Sequence, residues 1–200
     1  MTTDDVDLER RRFLLTATGI VGGIGAGFLA VPFISSWMPT AKAKALGAPV
    51  EVDISKMEYG QQLTIEWRGK PVWIIRRNAD MLKRVEGHAD SLRDPNCLVP
   101  QQPPYAKNEY RARENEKEYL VLVGVCTHLG CSPKFHPDAG DLGPRWPGGF
   151  YCPCHGSTFD LSGRVFKGVP APINLEVPAY KFLTDNRIVI GIDEQNPNGV

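Results

Sequence analysis

The sequence predicts a mainly β protein: a small antiparallel β sandwich with metal-binding loops at one tip, preceded by one transmembrane α-helix. Three observations predict it. From Phe13 to Ala41, 29 consecutive residues carry no charged side chain. From Pro49 onward the chain breaks into short segments rich in β-branched and aromatic residues, bounded by turn residues. Two runs between those segments, Cys126-Thr127-His128-Leu129-Gly130-Cys131 and Cys152-Pro153-Cys154-His155-Gly156-Ser157, concentrate thiols and imidazoles.

The uncharged run is long enough for a bilayer, which about 20 apolar residues cross as helix. The helix is assigned to residues 13–37, with Trp37 at the interface where aromatic rings collect. Residues 1–12 carry Arg10-Arg11-Arg12, which holds the N-terminus on the cytoplasmic side, although Lys42 and Lys44 beyond the helix reduce the asymmetry. A cleaved signal peptide is the alternative. The run is too long for a signal core, and Ala41-Lys42-Ala43 is a poor cleavage site. Arg10-Arg11-Arg12-Phe13-Leu14 instead resembles a twin-arginine export signal, with Glu9 and Leu15 departing from its usual flanks. Gly19, Gly23 and Gly27 share one helical face, a spacing that lets another helix approach closely. Residues 38–49, Ala-rich and holding Pro39, Gly47 and Pro49, read as a flexible tether.

Residues 50–200 form the head. Strands are expected at Val50–Ile54, Leu63–Trp67, Val72–Arg76, Tyr119–Val125, Phe150–Cys152, Arg164–Phe166, Leu175–Leu183 and Arg187–Ile192. Asn78–Gly87 has the composition of a short helix capped by Asn78. Residues 88–117 are polar, Pro-containing and aperiodic, and read as an insertion between strands. With 42% hydrophobic residues, the chain suits one globular domain plus an appendage. The balance of 23 basic and 23 acidic residues gives no electrostatic case for a nucleic-acid partner.

Cys126-x-His128 and Cys152-x-x-His155 each let a tight loop aim two donors at one point. Two thiolates with two imidazoles suit a [2Fe–2S] cluster in which His replaces Cys on one iron, and the rival that uses the same donor atoms is a structural zinc ion. Replacing thiolates by neutral imidazoles removes negative charge and makes an added electron cheaper. The outer imidazole nitrogens remain free to exchange protons, which couples reduction to proton uptake. Such a centre has a midpoint potential that falls as pH rises through the alkaline range, a dependence that redox titration measures. Cys131 and Cys154 are surplus to a zinc site.

The two runs resemble the cluster-binding boxes of the Rieske proteins of respiratory cytochrome bc complexes. The likeness continues through Gly156-Ser157-Thr158-Phe159-Asp160-Leu161-Ser162-Gly163-Arg164, and through the Gly-Val-Pro-Ala-Pro stretch of residues 168–172, which is similar to that family's proline loop. It covers nearly the whole chain. It implies a Rieske-type antiparallel β sandwich with cluster-binding loops at one tip. It also implies one [2Fe–2S] cluster, with Cys126 and Cys152 on the inner iron and His128 and His155 on the outer. Cys131 and Cys154 would form a disulfide, and Ser157 would hydrogen-bond at the cluster. The implied function is electron transfer in a membrane quinol–cytochrome c oxidoreductase. Quinol would bond to the outer nitrogen of His155, which takes the proton, and the electron would pass to a c-type cytochrome. Leu129, Gly130, Cys154 and Pro172 would shape the docking face. The implied partners are cytochrome b and a c-type cytochrome in a dimeric complex of the bacterial inner membrane, with the head in the periplasm.

Two departures from the family pattern stand out. Phe159 occupies the position where the family commonly has a Tyr bonded to a ligand sulfur. Hydrogen bonds to cluster sulfurs favour the reduced state, so Phe159→Tyr raises the midpoint potential; an unchanged or lower value in a redox titration contradicts this. The second is length: residues 129–151 put 23 positions between His128 and Cys152, the excess around Phe135–Gly149 reading as a Pro/Gly-rich surface loop. His136 in that loop reads as a solvated histidine and His88 lacks neighbouring donors. Cys97 reads as a free loop thiol, with an intermolecular bridge left open.

Other classes share some of these features. A ferredoxin for a ring oxygenase has the Cys/His ligands without the membrane segment. A Rieske oxygenase needs a second domain for which no residues remain. An exported Rieske subunit of arsenite oxidase fits the signal and the extra cysteines, and a zinc-binding module is the non-redox alternative.

Overall fold

Tyr119-Leu120-Val121-Leu122-Val123 is apolar at every position, and this is the strand that the rest of the head encloses. The computed structural model describes residues 7–197, with the side chains of residues 42, 44 and 46 left aside. The first six residues of the expected cytoplasmic N-terminus and the last three of the head therefore lie outside the described residues, as do the Lys42 and Lys44 side chains.

The described residues fall into two units, one ending at Ala45 and one starting at Leu46. In the first, helix α1 spans Leu8–Ser35, with mean hydropathy 1.9 in its most apolar window and none of that window buried. It starts before the expected residue 13 because Asp7 caps it. The Asp7 carboxylate accepts the Glu9 and Arg10 backbone N–H groups at 3.0 and 3.1 Å, which draws the three arginines into helix. Within the stretch read as a tether, Ala41–Leu46 forms a short helix, α2, whose Ala43 N–H bonds to the Thr40 hydroxyl at 3.1 Å. Ala is the strongest helix former, which explains the turn.

Among the described residues the head holds nine strands in three antiparallel sheets of three. Strands β1 (Val50–Asp53), β9 (Arg187–Ile190) and β8 (Tyr180–Thr184) form one, in that order. Strands β2 (Gln62–Trp67), β3 (Lys70–Arg76) and β4 (Tyr119–Val123) form the second, with all five residues of β4 buried. Strands β5 (Lys134–His136), β6 (Gly149–Cys152) and β7 (Ser157–Asp160) form the third. Trp73 of β3 stacks on Phe150 of β6 at 5.2 Å between centroids, and Phe135 of β5 packs on the same ring at 5.3 Å. The Trp73–Phe150 stack joins the second sheet to the third, which carries box two. Helix α3 (Ala79–Val85) is capped as expected, the Asn78 side chain accepting the Met81 N–H at 2.8 Å.

Two expectations need correction. The segment Leu175–Leu183 becomes strand only from Tyr180, because Pro178 has no N–H for a ladder. Arg164–Phe166 makes two isolated bridges, Val165 to Phe159 and Phe166 to Leu92. Residues 88–117 lie between α3 and β4, and within this segment Leu92, Ala106, Arg111 and Ala112 are buried, with Tyr105 packed against the main core.

Candidate metal centre

Both boxes are closed by the same local device. In box one, directly after β4, the Gly130 N–H bonds to the Cys126 carbonyl at 3.0 Å. In box two, the hairpin loop between β6 and β7, the Gly156 N–H bonds to the Cys152 carbonyl at 2.9 Å. Each glycine has positive φ, +83° and +76°, where a side chain is strained. The Cys126 N–H also bonds to the Cys131 carbonyl at 2.7 Å, and Cys152 pairs with Ser157 across the β6–β7 ladder. Two loops thus present their donors from rigid strand ends.

The loops meet. Cys131 and Cys154 form a disulfide, with Cα atoms 6.7 Å apart. The His128 and His155 rings lie 4.8 Å apart and nearly perpendicular at 89°. Cys126 and Cys152 are free and buried, at 2% and 1% exposure. Burial pushes the Cys126 thiol pKa up, the His128 backbone N–H and the Ser157 hydroxyl pull it back, and neighbouring Cys152 pushes it up further. The His128 Nδ1 is buried with no hydrogen-bond partner. A buried polar atom without a partner is costly, and a metal ion relieves that cost. Two buried sulfurs, this orphaned nitrogen and the adjoining His155 ring fit a [2Fe–2S] group.

The sulfurs of Cys131, Cys152 and Cys154 all lie within 4.8 Å of one another. Two of the three are consumed by the disulfide, so this trio is not itself a ligand set. Leu129, Gly130, Cys154, His155 and Pro172 are exposed around the site.

Thr127 escaped the sequence reading. Its hydroxyl donates to the Ile173 carbonyl at 2.6 Å, while the Ser157 hydroxyl accepts the Ala171 N–H at 3.0 Å. One residue from each box therefore pins the proline loop beside the site. A hydroxyl between two donor residues is the only sign of this in the sequence.

The remaining candidates lie elsewhere. His136 stands in β5, and its Nδ1 pairs with Asp141 at 2.5 Å. The segment read as a surface loop is anchored there, with the Trp146 indole donating to the His136 carbonyl at 3.2 Å and Arg84 donating to the Pro137 and Pro147 carbonyls. His88 meets Asp160 at 3.3 Å and stacks on Phe166. Cys97 is a free thiol as expected, but fully buried.

Residues 105–181 match the Rieske [2Fe-2S] domain family, and residues 1–40 match the ubiquinol–cytochrome c reductase Fe-S subunit TAT signal. The ubiquinol-cytochrome c reductase iron-sulfur subunit of Allochromatium vinosum is 53% identical over 195 residues, covering 96% of this chain and 93% of that protein. The chain belongs to the Rieske iron–sulfur subunits of ubiquinol–cytochrome c reductase. Relatives of the same description from Blastochloris viridis and Bradyrhizobium diazoefficiens are 43% and 41% identical, covering 95% and 91% of this chain and 97% and 94% of theirs. The cofactor of this Rieske subunit is a [2Fe–2S] cluster. Its N-terminal export signal and apolar helix fit membrane-anchored export.

Proposed function

We propose that this chain carries electrons from quinol to a c-type cytochrome within a cytochrome bc complex, using Cys126, His128, Cys152 and His155 as cluster ligands. The observation that carries this reading is the convergence of the two boxes, with perpendicular imidazoles 4.8 Å apart and an unpartnered His128 Nδ1. When bound, the [2Fe–2S] group supplies a one-electron acceptor of raised potential, because imidazoles replace two thiolates. Cys126 and Cys152 would hold it from the buried side of the site, and His128 and His155 from the side nearer the tip. His155, exposed at the tip, hydrogen-bonds the quinol hydroxyl through its outer nitrogen and takes the proton. Leu129, Gly130 and Pro172 seat the head against cytochrome b and exclude water from that bond. Ser157, its acceptor side occupied by the Ala171 N–H, directs its own proton toward the Cys126 sulfur. The N-terminus lies in the cytoplasm and the head in the periplasm, as part of a dimeric complex in the bacterial inner membrane.

Leu129 is 71% exposed and directly follows His128 in box one, so it stands beside the imidazoles that the quinol pocket must receive. In the assembled complex, Leu129→Asp lowers quinol-driven cytochrome c reduction by about 30-fold, the size of one interface hot spot. The spectrum of the reduced cluster stays as in the wild type. Full turnover in this variant contradicts the docking role.

A further inference from the structure

Behind box two lies a buried group of charges that the proposed electron path does not use. Arg77, Arg111 and Arg164 are all at most 2% exposed. They converge on residues 160–164, the turn that follows β7. Arg77 donates to the Leu161 carbonyl at 3.1 Å, the Ser162 hydroxyl at 2.9 Å and the Lys117 carbonyl at 2.5 Å. Arg111 donates to the Ser162 and Gly163 carbonyls at 3.4 and 3.3 Å and to the Gln102 side chain at 3.1 Å. Arg164 donates to the Asp160 carboxylate and the Val85 carbonyl at 2.7 and 2.8 Å.

Among the described residues, Asp160 is the carboxylate paired with this group. Burial alone pushes its pKa up, but Arg164 and His88 hold it below the ordinary carboxylate value, so it is ionised. Burial lowers the pKa of Arg77 to about 10 and also lowers that of Arg111, and guanidinium groups keep their proton in proteins. Cys97, beside Arg111, is pushed up by burial and adds no negative charge. Asp94 nearby is engaged by the Leu98 and Val99 N–H groups at 2.8 and 3.0 Å. Three guanidinium charges thus face one paired carboxylate, an arrangement that is costly in a low-dielectric interior.

We infer that Arg77, Arg111 and Arg164 form a buried cationic reserve that favours the reduced centre and thereby sets its potential. The inference rests on the proposed ligand set. Strand β7 runs from Ser157, whose hydroxyl faces Cys126, to Asp160, and four strand residues span about 10 Å. Two ferric ions, two sulfides and two thiolates sum to zero charge, so an added electron leaves a net negative centre facing these cations. The guanidinium groups, bonded to carbonyls beyond Asp160, stand farther from the centre than that span, on the order of 15 Å, and at an effective dielectric of about 20 one charge there changes the ratio of reduced to oxidised protein by about fivefold. The reserve also offsets the hydroxyl that Phe159 lacks.

The test is a redox titration of the purified complex, followed by paramagnetic resonance, with Arg77→Gln, Arg111→Gln, Arg111→Lys and Asp160→Asn. The two Gln variants lower the ratio of reduced to oxidised centre about fivefold at a fixed ambient potential, Arg111→Lys restores it, and Asp160→Asn raises it. Opposite signs for removing opposite charges distinguish electrostatics from packing, which has no reason to follow charge. Unchanged potentials in Gln variants that keep their cluster overturn the inference, as does loss of the cluster in Arg77→Gln, Arg111→Gln and Asp160→Asn alike. Absence of any cluster signal in the wild type overturns the ligand assignment itself, a distinguishable outcome.

Discussion

Replacing His128 with leucine abolishes cluster binding while leaving the metal-free head at least as stable as the parent. The two halves of this result have one cause. His128 Nδ1 is buried and unpartnered, and an unsatisfied buried polar atom costs about 1–3 kcal/mol. Leucine removes that cost, and no backbone bond of box one depends on the ring. The loop is closed by Gly130 N–H to the Cys126 carbonyl and by Cys126 N–H to the Cys131 carbonyl. Iron and acid-labile sulfide fall to background in the purified variant, and thermal unfolding of the metal-free forms shows no loss. A variant that retains iron, or a metal-free head that melts well below the parent, contradicts this account.

Breaking the disulfide has the second large effect. Cys131 and Cys154 close a loop with a sequence separation of 23, which stabilises the fold by about 3 kcal/mol on the chain-entropy estimate. For a head of this size that corresponds to a melting temperature lower by about 10 °C in a Cys131→Ser, Cys154→Ser double variant. Reduction of the natural bond adds a separate fault. Once freed, the two sulfurs stand beside Cys152, all three within 4.8 Å, and thiolates are the preferred donors for iron–sulfur clusters. Iron added to the reduced protein is therefore captured partly by the wrong sulfurs. The double variant has fewer thiols and shows the stability loss without the miscapture. Equal cluster spectra for the reduced parent and the double variant would sink the second half of this argument.

The proposed centre is legible in the sequence because its candidate donors are rare residue types at short spacing. Cys126, His128, Cys152 and His155 stand out in a chain with five cysteines and four histidines. Helix α1 was equally plain, since nothing but a bilayer or a core explains 29 uncharged residues. The less legible features depend on contacts distant in the chain. Strands β5 and β7, of three and four residues, are too short to show an alternation, and Ser157-Thr158-Phe159-Asp160 reads as box and turn. The segment 88–117 is polar, Pro-containing and aperiodic, with no local sign of what it buries. Yet Arg111 is fully buried, its guanidinium bonded to carbonyls some fifty residues further on. No local pattern distinguishes an arginine that caps distant backbone from one in water. Thr127 is a similar case, because its partner Ile173 lies 46 residues away.

The central claim is a mixed nitrogen–sulfur cage around two irons, with its imidazoles at the exposed tip. Pulsed paramagnetic resonance of the reduced protein tests it most directly. The account predicts strong coupling to two nitrogen nuclei, with one lost on replacing His155 by cysteine. A reduced centre with no directly coupled nitrogen, or a protein holding a single zinc ion and no spin signal, contradicts it.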